Sequence, residues 1–125
     1  PLSIEKGRAW LVMKNLNLEK MQACAPIIEG KHDFTTFRSV NCQSKSPIKT
    51  LNSCKITQQD DNIYFGFVAP SFLQHQIRSL VGTIKMVGEG LWDIERFQQA
   101  LDAKDRSKCG ALAPAEGLYF MEVKY

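Results

Sequence analysis

Asp33, His32 and His75 are residue types that accept or donate protons near neutral pH, and Arg78 is a fixed cation. No spacing relates any two of the three proton-carrying residues. His75, Arg78 and Gly82 do follow one another at i, i+3 and i+7. On a helix they form one stripe beside the apolar residues Leu73, Ile77, Leu80, Val81, Ile84 and Val87. A glycine within a helix costs about 1 kcal/mol relative to alanine, so Gly82 points to close backbone approach by another element. An arginine beside such a stripe pairs with a carboxylate or phosphate, or faces solvent, and spacing leaves both open. Asp33, directly before Phe34-Thr35-Thr36-Phe37, reads more readily as the cap of a short turn than as a nucleophile. His32 reads as a surface residue. Cys24, Cys42, Cys54 and Cys109 are all too far apart for the usual zinc spacing, so no metal site is expected. Val87-Gly88-Glu89-Gly90 follows a helix instead of opening one, and is no phosphate loop.

These residues need elements to hold them. Residues 1–13 read as an extended arm with Gly7-Arg8-Ala9-Trp10-Leu11-Val12 at its centre, strand-like but without a nearby sequence partner. Asn17 suits the N-cap of a helix over about 18–29, whose apolar positions Leu18, Met21, Ala25 and Ile28 recur at helical steps, with Gly30 just past its end. A polar loop runs from Ser39 to Pro47. Residues 48–58 and 62–69 read as a β-hairpin around Gln59-Asp60-Asp61-Asn62. Ile48, Cys54 and Ile56 mark one face of its first strand, and Ile63, Phe65, Phe67 and Ala69 alternate in the second. A helix over about 71–88 follows, then one capped by Asp93 and running to about Ala103. Gly117 opens a last strand with Tyr119, Met121, Val123 and Tyr125 on one face. The sum is an α+β fold, an antiparallel sheet with helices on one face.

At 125 residues the chain is a single domain, 1–125, and at 44% hydrophobic and 23% charged it is too apolar to be disordered. No apolar run has membrane-spanning length, and no secretory leader is visible. The scattered cysteines suit buried thiols in a reducing compartment, so a cytoplasmic location is expected. The net charge of +3 is unevenly spread. Residues 34–88 hold six basic against two acidic side chains, so the positive excess lies mid-chain, where it could meet a polyanion or face water.

Several ordered blocks resemble one family. Gly30-Lys31-His32-Asp33-Phe34-Thr35-Thr36-Phe37-Arg38 is similar to the G-x-H-D-F-T-S-F-R segment of the tRNA pseudouridine synthase A family. Cys42-Gln43-Ser44-Lys45-Ser46-Pro47 resembles its C-Q-x-x-S-P loop, and Phe72 to Gly82 resembles its F-x-H-H-x-V-R-x-x-V-G helix. Ala103-Lys104-Asp105-Arg106 and Ala113-Pro114-Ala115-Glu116-Gly117-Leu118-Tyr119 match two further blocks, and Gly7-Arg8-Ala9-Trp10 fits upstream. The resemblance implies isomerisation of uridine to pseudouridine at positions 38 to 40 of the tRNA anticodon stem-loop, without metal or organic cofactor. An Asp attacks the target nucleotide, the glycosidic bond breaks, and the uracil rotates and rejoins through carbon 5. The target base must leave its stack. The implied fold is two related α+β halves sharing a sheet, with a cleft between them and a homodimer as the working unit.

The resemblance covers the C-terminal half of that enzyme. The family's nucleophilic Asp, in a G-R-T-D-x-G-V-H block, and its active-site Tyr have no counterpart in the chain. By resemblance, Arg78 is the helix arginine that holds that Asp ionised and oriented. Leu118 is the apolar residue near the target uracil. Arg38, Lys45, Lys49 and His75 face RNA. Gln74, Ser79 and Lys49 depart from the family's commoner His, Asn and Arg. The expectation is a domain fragment, inactive alone and completed by its own N-terminal half, with a sheet edge left open by the loss. A stand-alone RNA-binding module and one half of a split enzyme are the alternatives; retention of Arg78 and Leu118 disfavours a pure binder.

Overall fold

The computed structural model describes residues 6–12, 16–38, 46–60, 62–70, 76–110 and 119–124, the first and last of these by their backbone pairing. The fold is α+β, with two antiparallel sheets where one was expected. The larger has four strands in the order β4 (Ser53–Gln59), β5 (Asn62–Val68), β1 (Lys6–Val12), β6 (Tyr119–Lys124). The smaller is a ribbon of β2 (Gly30–Asp33) and β3 (Ile48–Leu51).

The N-terminal arm is thus an interior strand. Its partners are far away in sequence: Lys6 lies opposite Val68 on one side and Lys124 on the other. Strand β5 keeps the alternation expected of it, with Ile63, Phe65, Phe67 and Ala69 buried and the residues between them half-exposed. The first hairpin strand is where expectation and structure part. It bends at Asn52, whose N–H donates to Val68 O at 2.7 Å. Residues 48–51 pair with β2, while residues 53–59 pair with β5. Cys54 and Ile56 therefore join the core, whereas Ile48 is 47% exposed on the separate ribbon. Asp60, with φ +56°, makes the tight turn between β4 and β5.

The helix expected over 18–29 is two short helices, α1 (Leu18–Gln22) and α2 (Ala25–Ile28). Pro26 is the cause: it lacks the N–H for a bond to residue 22, and its ring collides with that carbonyl. The sequence tolerates it by restarting the helix at Cys24, which puts Pro26 in a first turn. Asn17 caps α1 as expected, its Oδ1 accepting from Lys20 N at 3.0 Å. The next helix, α3 (Gln76–Gly88), buries Ile77, Leu80, Val81, Ile84 and Val87, as its spacing requires. Leu73 and the earlier part of the expected helix lie outside the described residues. Helix α4 (Ile94–Ala103) is capped by Asp93, whose Oδ1 accepts from Arg96 N at 2.8 Å.

One core joins these parts. The inner face of β4 and β5 packs with Met21 and Ile28 of the short helices, the apolar face of α3, and Phe97 and Leu101 of α4. At the far end of α3, Gly88 packs closely on α1: a Cβ there would stand 2.6 Å from Met21 Sδ, and that side chain would have to shift. The outer edge of β4 is closed by side chains: Cys54 N donates to Glu29 Oε2 at 2.9 Å, and Gln22 Nε2 donates to Ile56 O at 2.7 Å. Two backbone groups of this edge are thereby taken up by side chains and not left for another strand.

Cys24 and Cys54 are free, buried thiols. Burial pushes each up to about 12, with the Glu29 carboxylate and Cys24 adding to the effect on Cys54. At pH 8 such a thiol is about a thousandfold less ionised than one at its ordinary value. Both should resist iodoacetamide at that pH in the folded chain and react once urea unfolds it, as read by mass spectrometry. Rapid native-state alkylation of either would contradict their burial. Since both values are raised on folding, their contribution to stability is complete below about pH 9 and declines as pH rises from there toward 12.

Candidate functional site

The segment Gly30–Arg38 runs through β2 and then a single 3₁₀ turn, Thr35–Phe37. Gly30 opens it with φ +97°, a conformation that favours glycine, just after the chain leaves α2. Asp33 ends the strand and shapes the turn, as its position suggested: its Oδ1 accepts from Thr35 N at 2.9 Å and from Thr35 Oγ1 at 2.6 Å. Its partial burial pushes its pKa up. The two Thr35 bonds and the positive charges of Lys104 and Arg38 outweigh this, leaving Asp33 below the usual carboxylate value. Asp33 is therefore an ionised turn-former at neutral pH, not a proton carrier. His32 is half-buried, with Nε2 2.7 Å from Glu29 O and its ring edge-on to Phe34 at 5.8 Å. Its ring is anchored by these two contacts while remaining partly exposed.

The turn is the hub of the site because it packs against α3, α4 and a second 3₁₀ turn, Arg106–Lys108. Phe37 is wholly buried, its ring 6.0 Å from that of Phe97. Thr36 is buried beside it. Its hydroxyl donates to Ala100 O at 2.7 Å and accepts from Asp105 N at 3.0 Å. One side chain so satisfies two backbone groups at the C-terminus of α4, where helical partners run out. Between them Lys104 holds the left-handed conformation, φ +52° and ψ +42°, at the helix C-cap. Asp105 caps the second turn through bonds from Ser107 N and Oγ, which also lower its pKa.

Arg78 lies in the first turn of α3, half-buried between the buried Ile77 and Ser79. Arg38 follows directly on the 3₁₀ turn, which packs against α3, the helix that carries Arg78. Lys49 sits on the ribbon opposite His32 in register, half-buried. Because successive strand residues alternate, Lys49 and His32 share one face, and Asp33 lies on the other with Ile48. The site residues expected on the ribbon are therefore brought to one region but not to one face. Gly82, expected on the stripe with Arg78, is buried. Lys45, His75 and Leu118 lie outside the described residues. Thr36 and Lys104 were not singled out by spacing or charge. The only signal in the sequence was their membership of the two matching blocks.

These features define an α+β domain with an arginine on helix α3 and Lys31, His32 and Lys49 on a two-stranded ribbon. The chain belongs to the tRNA pseudouridine synthase family, whose model matches residues 25–125. It is 49% identical over all 125 residues to tRNA pseudouridine synthase A of Parvibaculum lavamentivorans, covering 51% of that protein. It is 46% identical to the tRNA pseudouridine synthase A of Caulobacter vibrioides, again over all of this chain and 51% of the relative. It is also 46% identical to that of Rhizobium leguminosarum, covering 47% of it. The chain spans about half the length of the curated relatives it matches.

Proposed function

We propose that this chain is the C-terminal half of a cytoplasmic enzyme that isomerises uridine to pseudouridine in the anticodon stem-loop of tRNA, at positions 38 to 40. The observation that carries the proposal is the match over all 125 residues to synthases of about twice this length. The other half supplies the nucleophilic Asp, and the intact enzyme works as a homodimer. Arg78, from the first turn of α3, pairs with that Asp and keeps it ionised where a cleft would otherwise favour its neutral form. Leu118 packs against the displaced uracil. Arg38, Lys45, Lys49 and His75 hold the RNA around it. The 125-residue chain alone, lacking the nucleophile, binds without turning over.

Binding to an unmodified tRNA transcript, followed by fluorescence anisotropy across a salt series, tests the RNA-facing part. Lys45→Ala and Lys49→Ala should each weaken binding and lower the slope of log affinity against log salt by about one, the signature of one lost phosphate contact. Unchanged slopes would place those lysines away from the phosphates.

A further inference from the structure

The basic residues expected to meet RNA all come from residues 38–78. The fold brings one more cation to them from far along the chain. Thr36 Oγ1 bridges Ala100 O and Asp105 N, 64 and 69 residues away, and so pins the C-terminal end of α4 against the 3₁₀ turn that precedes Arg38. Lys104 lies inside the bridged segment and is exposed. It stands near enough to Asp33 that its charge, like that of Arg38, acts on that carboxylate. Glycine is the usual occupant of a left-handed C-cap, because a side chain there is strained. A lysine here gains nothing for the backbone, yet it carries an ammonium group on the segment that Thr36, two residues before Arg38, pins in place. Asp33 Oδ1 accepts both Thr35 bonds, and the exposed Lys104 side chain faces solvent.

We propose that Lys104 is a further RNA contact, binding a backbone phosphate beside Arg38, and that Thr36 is the residue that positions it. This rests on the RNA-binding reading above. In this arrangement the RNA surface extends from the ribbon across the 3₁₀ turn to the end of α4. The Gly30–Arg38 and Ala103–Arg106 blocks become two sides of one phosphate-gripping corner.

The test is the same tRNA salt series, applied to Lys104→Gly, Lys104→Arg and a distant control, Lys20→Ala on the exposed face of α1. Glycine suits the backbone at this position, so Lys104→Gly should leave the melting temperature unchanged or raised. It should nevertheless weaken tRNA binding several-fold and lower the salt slope by about one. Lys104→Arg should restore both, and Lys20→Ala should move the slope less. Thr36→Val should reproduce the binding loss, with Thr36→Ser restoring it through the retained hydroxyl. A Lys104→Gly slope equal to that of the unaltered chain overturns this inference and leaves the RNA-binding reading standing. Failure of the unaltered chain to bind tRNA at low salt overturns both.

Discussion

Replacing Arg78 by alanine in the complete two-half enzyme is expected to lower pseudouridine formation by at least about 10²-fold, the scale on which one preorganised electrostatic partner acts. The same variant should leave tRNA affinity within a few-fold. The asymmetry follows from where Arg78 sits. It is half-buried in the first turn of α3, between the buried Ile77 and Ser79, unlike a fully exposed surface lysine. Its planar, permanently charged fork is suited to one carboxylate held in one place. On the proposed role, its removal should raise the pKa of the nucleophile and loosen its orientation while leaving the contacts proposed to bind tRNA in place. Single-turnover kinetics separate the two effects. A near-normal rate would remove Arg78 from the catalytic role, and a large loss of affinity at normal rate would make it an RNA contact instead.

The largest effect on folding is expected at Phe97. Its side chain is fully buried on α4, against Phe37 of the 3₁₀ turn, and it links the last helix to the segment that carries Asp33 and Arg38. Truncating a buried phenylalanine to alanine removes its transfer energy and leaves a cavity, together about 3 to 5 kcal/mol. A domain of this size has about 5 to 15 kcal/mol in all. Phe97→Ala should therefore shift the urea midpoint strongly downward with little change in slope. The α4 terminus with Lys104 should loosen with it. Leu91→Ala makes the contrast: that side chain is 64% exposed, and its truncation should change the midpoint little. Equal effects of the two would contradict the described packing.

Local chemistry was legible where a side chain and its partner lie within a turn of each other. Asn17, Asp33 and Asp93 each bond a backbone N–H two or three residues on, and each was recognisable as a cap from its type and place. Strand β5 was legible because one face is buried and its apolar residues alternate, and helix α3 because its large apolar residues recur at helical spacing even though nearly all of the helix is buried. The ribbon of β2 and β3 was not. Gly30-Lys31-His32-Asp33 lacks the β-branched and aromatic residues that mark a strand, and forms one because β3 lies alongside it. The bend at Asn52 was hidden for a related reason. A continuous alternation in sequence does not show that half of a strand pairs with a different sheet. Pro26 stood in plain view, yet the apolar spacing across it resembled one unbroken helix.

The site was legible by resemblance of whole blocks and hardly at all from spacing. Arg78 beside an apolar stripe supports a counter-anion, but nothing in that stripe says which. Thr36 illustrates the limit best. A threonine between Thr35 and Phe37 has no local mark of importance, because its two hydrogen-bond partners are more than sixty residues away. Only the folded chain shows that its hydroxyl holds together two blocks that the sequence presents as separate.

The most direct test of the account is pseudouridine formation on unmodified tRNA by the 125-residue chain, measured beside a chain that also carries the other half found in its relatives. The account predicts tRNA binding without product from the shorter chain, and turnover from the longer one that is lost with Arg78→Ala. Product from the shorter chain would contradict it, because a nucleophile would then lie among these 125 residues.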